Sequence, residues 1–426
     1  MQTRFSPEQL AEPATAAAEK AIRTCVHCGF CLATCPTYVL LGDERDSPRG
    51  RIYLMKDMLE NERAPSPEVV RHVDRCLSCL SCMSTCPSGV DYRHLVDHAR
   101  AYIEDRYQRP WFDRTLRAAL AWLMPYRGRF RAGLALAGLG RPFAPLFRQL
   151  GLKPLAAMLD LSKAPGRLLR AEAPSPAPLK GRVILLRGCV EAVLEPEFRA
   201  AAARLLARAG YQVVEVQGEG CCGSLTHHMG REASGHAFAR HNIDLWSREI
   251  EAGGVDAILT TASGCGSTMK DYGFMFQADP AYAGKAKAVA AKTRDITEFL
   301  AEVGLPRPSA PKGLTVAYHA ACSLQHGQRV RDVPKRLLAE AGFTVREPLE
   351  SHLCCGSAGI YNITQPEIAD QLRDRKVASL EATKPQVIAS GNIGCLTQIG
   401  AGTGLPVVHT VQLLDWAHGG PNPLGG

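Results

Sequence analysis

The chain has 426 residues with 46% hydrophobic and 22% charged side chains, which excludes a disordered protein and predicts about three globular domains. Its formal net charge is +8, and it contains no run of about eighteen apolar residues that would span a membrane. Sixteen cysteines are more than packing requires, and the chain is too long for a small secreted disulfide scaffold, so we expect metal-binding cysteines in a reducing cytosol.

Two similar cysteine runs dominate the N-terminal segment, which we predict to form one domain over residues 1–106. The runs are CVHCGFCLATCP, starting at Cys25, and CLSCLSCMSTCP, starting at Cys76, and both have the spacing C-x2-C-x2-C-x3-C-P. The stretch before them, MQTRFSPEQLAEPATAAAEK, carries acidic residues and no apolar core, so we expect no signal peptide.

The spacing of each run is typical of a [4Fe-4S] cluster, because in two-cluster ferredoxins three cysteines bind one cluster and the fourth binds the other. We therefore predict two clusters that relay electrons between them. The first is assigned to Cys25, Cys28, Cys31 and Cys86, and the second to Cys76, Cys79, Cys82 and Cys35. Two tetrahedral zinc sites are the alternative, although zinc-binding cysteines usually occur as separated C-x2-C pairs.

The stretch between the runs, SPRGRIYLMKDMLENERAPSPEVVRHVDR, predicts a helix, a Pro-rich turn and a second helix. Ser47 is the expected N-cap, with Pro48 in the first turn, and the arginines that follow are candidates to face the clusters or a partner. Within the runs, we expect Gly29, Ser78 and Ser81 to let backbone amides point at the cluster sulfides.

Residues 107–180 are predicted as a basic helical linker region. Thirteen Lys or Arg residues oppose three acids between Arg109 and Lys180, and the stretch TLRAALAWLMPYRGRFRAGLALAGLG is amphipathic before the Pro-rich AEAPSPAPLKG. We expect this segment to contact a partner or an anionic membrane surface, with a solvated linker as the alternative. Nucleic acid is not an expected partner, since no aromatic-basic interleaving accompanies the charge.

From Gly181 onward short apolar strands alternate with helices, and the pattern occurs twice. The first copy, predicted over 181–310, runs from VILLRGC through YQVVEVQ and GCCGS to VDAILTTASGC. The second, predicted over 311–426, runs from LTVAYHAAC through FTVREP and LCCGSAG to PQVIASGNIGC. Strands separated by helices indicate mostly parallel sheets. The predicted fold is α+β overall, with a mainly helical, bacterial-type two-cluster ferredoxin domain followed by two duplicated α/β domains.

Each copy contains four cysteines at matching positions, which indicates a duplication. The matched sets are Cys189, Cys221, Cys222 and Cys265, and Cys322, Cys354, Cys355 and Cys395. Each set should form a thiolate pocket at the carboxyl edge of its sheet, where a further iron-sulfur cluster, a zinc ion or a redox-active Cys-Cys pair would fit. Buried structural cysteines are the alternative. Nearby histidines are weaker ligand candidates, namely His227, His228, His319, His326 and His352.

The elements GCCGS and LCCGSAG resemble the cysteine-rich CCG domains of heterodisulfide reductases, lactate-utilisation proteins and anaerobic glycerol-3-phosphate dehydrogenase iron-sulfur subunits. Together with CVHCGFCLATCPTYVLLGDERDSPRGRIYLMK, DRCLSCLSCMSTCPSGVDY, TASGCGS and LQHGQ, they make almost the whole chain similar to the iron-sulfur subunit of bacterial glycolate oxidase. CCG domains with a noncubane cluster typically end in C-x-x-C, but here Ala262 and Asn392 replace the first of those cysteines. The missing fifth thiolate argues against heterodisulfide cleavage and leaves a four-thiolate cluster or another metal open.

No dinucleotide or flavin fingerprint, P-loop, serine elbow or HExxH motif occurs, so we expect this chain alone to lack a substrate-oxidising site. The resemblance implies an electron-transfer subunit that serves a partner FAD subunit oxidising glycolate to glyoxylate, with D-lactate as a further substrate. It also implies a further flavoprotein-like subunit, a quinone acceptor and peripheral attachment to the cytoplasmic face of the inner membrane. The alternatives are the iron-sulfur subunit of a glycerol-3-phosphate or lactate dehydrogenase, a thiol-disulfide reductase acting at a CCG site, and a redox sensor.

Overall fold

The computed structural model describes residues 1–162, 166, 168–171, 177–309 and 312–424 of the chain. The N-terminal part is helical, with helices α1 (Pro7–Leu10), α2 (Pro13–Thr24), α3 (Pro36–Leu41), α4 (Pro48–Glu60), α5 (Pro67–Asp74), α6 (Ser81–Thr85) and α7 (Tyr92–Arg106). The first five begin with proline, whose fixed φ and missing N–H suit the first helical position. The Gly50 amide donates to Ser47 Oγ at 3.0 Å, which confirms the predicted start of α4.

Helices α2, α4, α5 and α7 pack into one small core. Its fully buried members are Ile22, Met55, Val73, Leu95 and Ile103. Cysteines from both runs border this core, so the helices form a common base for the two loops.

The predicted linker region is folded where the structure describes it, with helices α8 (Trp111–Leu123), α9 (Arg127–Gly140), α10 (Ala144–Gln149) and α11 (Lys153–Asp160). Two of its basic residues are structural. The guanidinium groups of Arg109 and Arg117 lie 2.7 and 3.1 Å from the Asp74 carboxylate, which joins this region to the N-terminal helices. Residues 172–176 of the Pro-rich stretch that follows, and the predicted boundary at 310, lie outside the described residues.

The two copies of the strand-helix pattern have corresponding strands, and the first copy has more helices between its strands than the second. The first contains β1 (Gly181–Leu185), α12 (Glu191–Leu194), α13 (Pro196–Ala209), β2 (Tyr211–Val214), α14 (Ser224–His228), α15 (Glu232–Glu251), β3 (Ala257–Thr260), α16 (Ser263–Met269), α17 (Tyr272–Met275), α18 (Ala283–Lys292), β4 (Thr293–Asp295) and α19 (Ile296–Val303). The second contains β5 (Thr315–His319), α20 (Val333–Glu340), β6 (Thr344–Arg346), α21 (Tyr361–Thr364), α22 (Pro366–Glu381), β7 (Val387–Ser390), α23 (Ile393–Gly400), β8 (Val407–His409) and α24 (Thr410–Ala417).

Each copy forms a four-stranded parallel sheet, in the orders β2-β1-β3-β4 and β6-β5-β7-β8. In the first sheet Val183 pairs with Val213 and with Ala257, and in the second Val316 pairs with Val345 and with Val387. Both sheets are parallel throughout, so the predicted α+β class with parallel sheets is confirmed. Because all strands of a sheet run the same way, each sheet collects its cysteine loops at one edge.

The two α/β domains pack against each other through α13 and α19 of the first and α20 and α24 of the second. A single core runs through this contact, and strand residues such as Leu185 and Tyr318 reach it from opposite sheets. The contacts α13 with α24 and α19 with α20 are reciprocal, as expected for a pseudo-two-fold pair of duplicated units. Among the described helices none combines the length and the apolar composition needed to cross a bilayer.

Candidate electron-transfer site

The two N-terminal cysteine loops have the same unusual backbone. His27 and Gly29 in the first loop, and Ser78 and Leu80 at the matching positions of the second, have φ between 47° and 86°. When every second residue of a loop has a positive φ, the backbone N–H groups of the loop point toward one centre. The concave site that they form binds anions. Since three of the four are not glycine, the strain they carry indicates a constraint at these positions. The loops therefore fit an anionic, sulfide-rich group.

The cysteines assigned to the first cluster surround a common space. Cys25, Cys28, Cys31 and Cys86 line one small cavity, and Cys82 also borders it. Cys86 thus lies with the first run although it belongs to the second, as the crossed assignment requires. Cys28 is solvent-exposed, so this end of the site reaches the protein surface.

Among the cysteines assigned to the second cluster, Cys35 lies beside a buried arginine. Arg51 is 1% exposed, and its guanidinium lies 3.8 Å from Cys35 Sγ. Burial alone would lower the pKa of Arg51, but Cys76, Tyr92, Cys35 and Asp46 outweigh that effect and raise it. A permanent cation therefore faces the thiolates. Of the two arginines predicted near the clusters, Arg51 lies beside Cys35, and Arg49 borders the cavity of the first cysteine set.

A fully buried carboxylate holds Arg51 in place. Asp46 contacts the Arg51 guanidinium at 3.3 Å, His72 Nδ1 at 2.9 Å and the Arg75 guanidinium at 2.8 Å. Arg51 also donates to the His72 carbonyl at 2.6 Å. Such a network fixes the position of a charge, and a fixed charge near a cluster tunes its reduction potential.

The third residue of each CCG element must be glycine. Gly223 and Gly356 have φ of 86° and 90°, and a Cβ there would lie 2.4 Å from the carbonyl oxygens of Gly235 and Ala369. The helices α15 and α22 therefore approach the loops closely, and only glycine permits both the conformation and the contact. The Cys-Cys pair that precedes each glycine therefore lies close to one of these helices.

In the first α/β domain the thiols lie beside a buried carboxyl group. Cys189 Sγ and Cys221 Sγ are 3.7 Å apart, and Glu191 shares a small cavity with Cys189 and Cys265. Glu191 is 5% exposed, and burial raises its pKa to about 7. Its Oε2 has no hydrogen-bond partner among the described residues, which leaves one oxygen free beside the thiols.

In the second α/β domain a buried imidazole, His319, lies beside the thiols. His319, Cys355 and Cys395 place their ligand atoms within 4.8 Å of one another. His319 is fully buried, and neither ring nitrogen has a hydrogen-bond partner in the part of the chain that the structure describes. Hydrogen bonds from Cys354 and Cys395 hold the pKa of Cys355 well below its usual range. Thiolate and imidazole ligands at this spacing fit zinc or an iron-sulfur centre.

The positions of the missing fifth cysteines have a structural use. Ala262 and Asn392 are the N-cap residues of α16 and α23. The Asn392 side chain accepts from the Gly394 amide at 2.9 Å and donates to Ser263 Oγ at 2.9 Å, which joins the two α/β domains.

The other candidate histidines bond to groups other than thiolates. His326 Nδ1 lies 2.9 Å from Ser84 Oγ, and its Nε2 lies 3.2 Å from the His352 carbonyl oxygen. His227 and His228 pair with Asp97 instead of the neighbouring cysteines. The structure therefore separates His319 from His227, His228 and His326.

The second N-terminal loop touches the second CCG site. Cys79 and Leu77 pack in one cluster with Cys322 and Cys354, and the Tyr361 hydroxyl donates across this contact to the Arg75 carbonyl at 3.0 Å. The thiol sets therefore lie in sequence, from the exposed Cys28 through the second loop to the second α/β domain.

Family models and relatives agree with this arrangement. A model described as a 4Fe-4S dicluster domain matches residues 24–90, and a model described as a cysteine-rich domain matches 183–270 and 316–400. The chain is 41% identical over 417 residues to the glycolate oxidase iron-sulfur subunit of Escherichia coli (strain K12), covering 98% of this chain and 99% of that protein. It is 33% identical over 401 residues to a probable glycolate oxidase iron-sulfur subunit of Bacillus subtilis (strain 168), covering 90% and 89%.

More distant relatives match in part. Lactate utilization protein A of Bacillus subtilis (strain 168) is 27% identical over 241 residues, which is 55% of this chain and 99% of that protein. A crystal structure of a hypothetical protein from Helicobacter pylori has a TM-score of 0.51 at 11% identity, covers 96% of this chain and 73% of its own, and supports the fold alone. The chain belongs to the family of glycolate oxidase iron-sulfur subunits, and it is the iron-sulfur component of a complex of the glycolate oxidase or lactate-utilisation type.

Proposed function

We propose that this chain carries electrons from a partner FAD subunit, which oxidises glycolate to glyoxylate and also accepts D-lactate, toward a quinone. The eight cysteines of the two N-terminal runs would hold two [4Fe-4S] clusters, which supply one-electron transfer when bound. The second CCG set with His319, and the first CCG set, are proposed as further metal sites. A further flavoprotein-like subunit would complete the complex.

The spatial order of the cysteine groups, from the protein surface to the α/β domains, supports this proposal. The first set opens at Cys28 among exposed apolar side chains, Val26, Phe30 and Tyr53, which are 66%, 61% and 63% exposed. An exposed apolar patch around a redox site suits a protein partner, so electrons would enter there. The second set is covered by the α/β domains, so electrons would leave on that side.

The direct test uses the complex as purified without oxygen. Adding glycolate should bleach the visible cluster absorbance, and removing the co-purified flavoprotein should abolish the bleaching. D-lactate should bleach more slowly, whereas bleaching by glycerol 3-phosphate alone would assign the complex to the alternative dehydrogenase. Absence of bleaching with all three substrates would refute the proposed electron-transfer role.

We also propose peripheral attachment to the cytoplasmic face of the inner membrane through α8 to α11. Trp111, Trp122 and Leu139 are 72%, 59% and 77% exposed on this region, and the exposed Arg131 and Arg141 lie on the same helical run. Apolar and aromatic side chains mixed with arginine suit an anionic lipid surface. Arg127 is unsuitable for this role because it donates to the Glu219 carbonyl at 2.7 Å.

Membrane attachment can be tested by charge reversal. Replacing the exposed Arg114, Arg131 and Arg141 by Glu should move the complex from sedimented membranes into the supernatant. The matched control replaces three exposed arginines of the α/β domains by Glu, namely Arg307, Arg331 and Arg346. Equal sedimentation of both variants would contradict the proposed attachment.

A further inference from the structure

A large cavity lies between α8 to α11 and the carboxyl edges of both sheets. Its volume is about 800 Å³, which is in the range of small-molecule sites. Cys76 and Cys79 of the second N-terminal loop form part of its wall, as do cysteines of both CCG sets. Part of this volume belongs to the groups that the thiolates bind. The cavity therefore adjoins the end of the electron path.

The remainder of the wall is apolar. Helices α8, α9 and α11 contribute Leu120, Phe130 and Met158, and the α/β domains contribute Met229 and Ile363 from the opposite side. These side chains belong to the core clusters that join the helical region to the α/β domains. Such a wall suits a ligand with a large apolar part.

The cavity opens at an apolar surface. Among the described residues that line it, Leu136 is the one large apolar side chain classed as exposed, at 70%. Leu139, Phe143 and Leu146 follow at helical spacing and are 77%, 55% and 49% exposed. The mouth thus lies within the surface that we assign to the membrane, and a lipid-soluble molecule would enter without crossing water.

A chain of protonatable groups reaches the same cavity. His228 Nδ1 lies 3.0 Å from one oxygen of Asp97, and His227 Nε2 lies 3.6 Å from the other. The His228 side chain is 36% exposed, whereas the side chains of Asp97 and His227 are 7% and 13% exposed. All three line the cavity, and His227 Nδ1 has no hydrogen-bond partner among the described residues. His228 has the most exposed side chain of the three, so protons from solvent would enter there.

Electrostatics keep Asp97 ionised and favour the protonated form of His227. Burial would lower the pKa of His227, but the nearby Asp97 carboxylate raises it above its usual value. Burial would raise the pKa of Asp97, but the two imidazoles hold it well below its usual range. His227 is therefore able to hold a proton beside a carboxylate at neutral pH.

We propose that this cavity binds the head of an isoprenoid quinone and that His227, supplied through Asp97 and His228, protonates it as it is reduced. The inference rests on the proposed function, which names the reduced flavin of the partner as the source of electrons. One quinone takes up two electrons from the Cys76–Cys79 side and two protons from solvent and becomes one quinol. The two electrons and two protons balance those released when glycolate becomes glyoxylate.

A packing role or an ordinary lipid tail is the alternative for the cavity. Either would require apolar walls, but neither would require thiolates in the wall or a relay of two imidazoles and a carboxylate ending there. Only a carrier that exchanges electrons together with protons uses all three features.

The binding test uses the isolated full chain with its metal centres loaded. A short-chain benzoquinone is titrated while tryptophan fluorescence and heat are measured, without any substrate or flavoprotein. Leu136→Glu at the mouth should weaken binding at least tenfold, and Leu139→Glu, equally exposed on the same helix but not lining the cavity, should leave it unchanged. Equal affinities for both variants, or no binding by the unaltered chain, would overturn the proposal.

The protonation step is tested by two oxidants. The chain is reduced anaerobically, freed of reductant and mixed with quinone or with ferricyanide, which takes electrons without protons. At saturating quinone, His227→Leu should slow quinone reduction at least tenfold, whereas the rate with ferricyanide should stay the same. The matched control is His241→Leu, a histidine that bonds the Gly218 carbonyl and does not line the cavity. Equal slowing with both oxidants would assign His227 a structural role and contradict the relay.

These tests separate this inference from the proposed function. If glycolate bleaches the clusters but the chain binds no quinone, the electron-transfer role stands and the cavity assignment fails. If quinone binds at the cavity but no substrate bleaches the clusters, the assignment of the partner reaction fails instead.

Discussion

Arg51 is the buried cation that lies beside the thiolates of the second predicted cluster. Its charge should stabilise the reduced, more negative form of that cluster and so raise its reduction potential. We expect Arg51→Met to lower this potential by about 59 mV, one decade in the equilibrium constant of a one-electron couple. The measurement is a redox titration followed by electron paramagnetic resonance.

Arg51→Lys is the control for this prediction, because it keeps the charge and loses the forked hydrogen bonds. Asp46 retains its contacts with His72 and Arg75 in both variants, so the buried carboxylate stays paired. A potential that is lowered equally in both variants, or in neither, would contradict an electrostatic role for Arg51.

His319 distinguishes the second CCG site from the first. The position three residues before the first cysteine is His319 in the second copy and Leu186 in the first. We expect His319→Ala to remove the metal of the second α/β domain, because it deletes a nitrogen ligand beside Cys355 and Cys395. Iron and zinc content per chain and X-ray absorption measure this loss.

His326→Ala provides the comparison for His319, since His326 is near the same loop but bonds to Ser84 and to the His352 carbonyl. Its metal content should equal that of the unaltered chain. Unchanged metal content in His319→Ala, with the spectrum intact, would show that His319 is a buried structural residue.

Single residues also mark the limit of sequence reasoning. Cysteine spacing allowed ligand sets to be proposed because spacing is a local property. The role of Arg51 depends on Cys35, sixteen positions away, and the isolation of His319 depends on what packs around it. A local sequence pattern shows neither the role of Arg51 nor the surroundings of His319. The histidine candidates could therefore be distinguished as ligands only from their positions in the folded chain.

At the scale of elements, the loop of the first cluster and the start of α4 form an exposed apolar patch. We expect Phe30→Glu and Tyr53→Glu to prevent co-purification of the flavoprotein, because a charge would be buried in the interface. A pull-down assay and a titration measure the effect, and we expect the affinity for the flavoprotein to fall at least tenfold. Leu349→Glu, at a site 81% exposed on the second α/β domain, should have no effect.

The cluster spectrum of the patch variants should stay unchanged, since neither side chain is buried. Loss of the flavoprotein together with loss of the clusters would point to a damaged loop instead of an interface. Retention of the flavoprotein by both variants would contradict the assignment of this patch.

Helix α7 is joined to the first α/β domain by His94, which lies 3.0 Å from Asp271 and 2.6 Å from Asp91. Burial lowers the pKa of His94, but hydrogen bonds to the two carboxylates outweigh it and raise the pKa to about 9. A pKa raised from 6.5 stabilises the folded chain fully below pH 6.5, and this contribution is lost as the pH rises to about 9. The contribution of His94 to the free energy of unfolding is at most about 3 kcal/mol.

The difference in melting temperature between the unaltered chain and His94→Gln tests this sign. The difference should be largest at pH 6 and should close near pH 9.5, because the glutamine does not titrate. Arg93 also faces Asp271, at 3.7 Å, but its charge stays constant over this range. A difference that is constant with pH would refute the contribution of His94.

The elements themselves were predictable to different degrees. The parallel strands and the helix at Ser47 followed from alternation and capping, which are local. The amphipathic stretch of 107–180 predicted helices but not their burial partner, because periodicity does not state which surface covers the apolar face. The cavity under α8 to α11 was therefore not predictable.

At the scale of the whole molecule, the chain places its redox sites in order. The exposed first loop faces outward, the second loop contacts the second α/β domain, and the cavity collects thiols of all three folded parts. Cysteines at the carboxyl edges of both sheets line this cavity, and helices α8, α9 and α11 form its other wall. The predicted membrane surface and the predicted partner patch lie on different elements, so both contacts are compatible with one path.

The most direct measurement mixes the purified complex rapidly with glycolate and follows cluster absorbance, first without quinone and then after adding it. Electron flow through this chain predicts bleaching by glycolate, recovery on addition of quinone, and recovery at least as fast as steady-state turnover. Quinone reduction at full rate while the clusters stay oxidised and Cys79→Ser has no effect would contradict it, because the electrons would then bypass this chain.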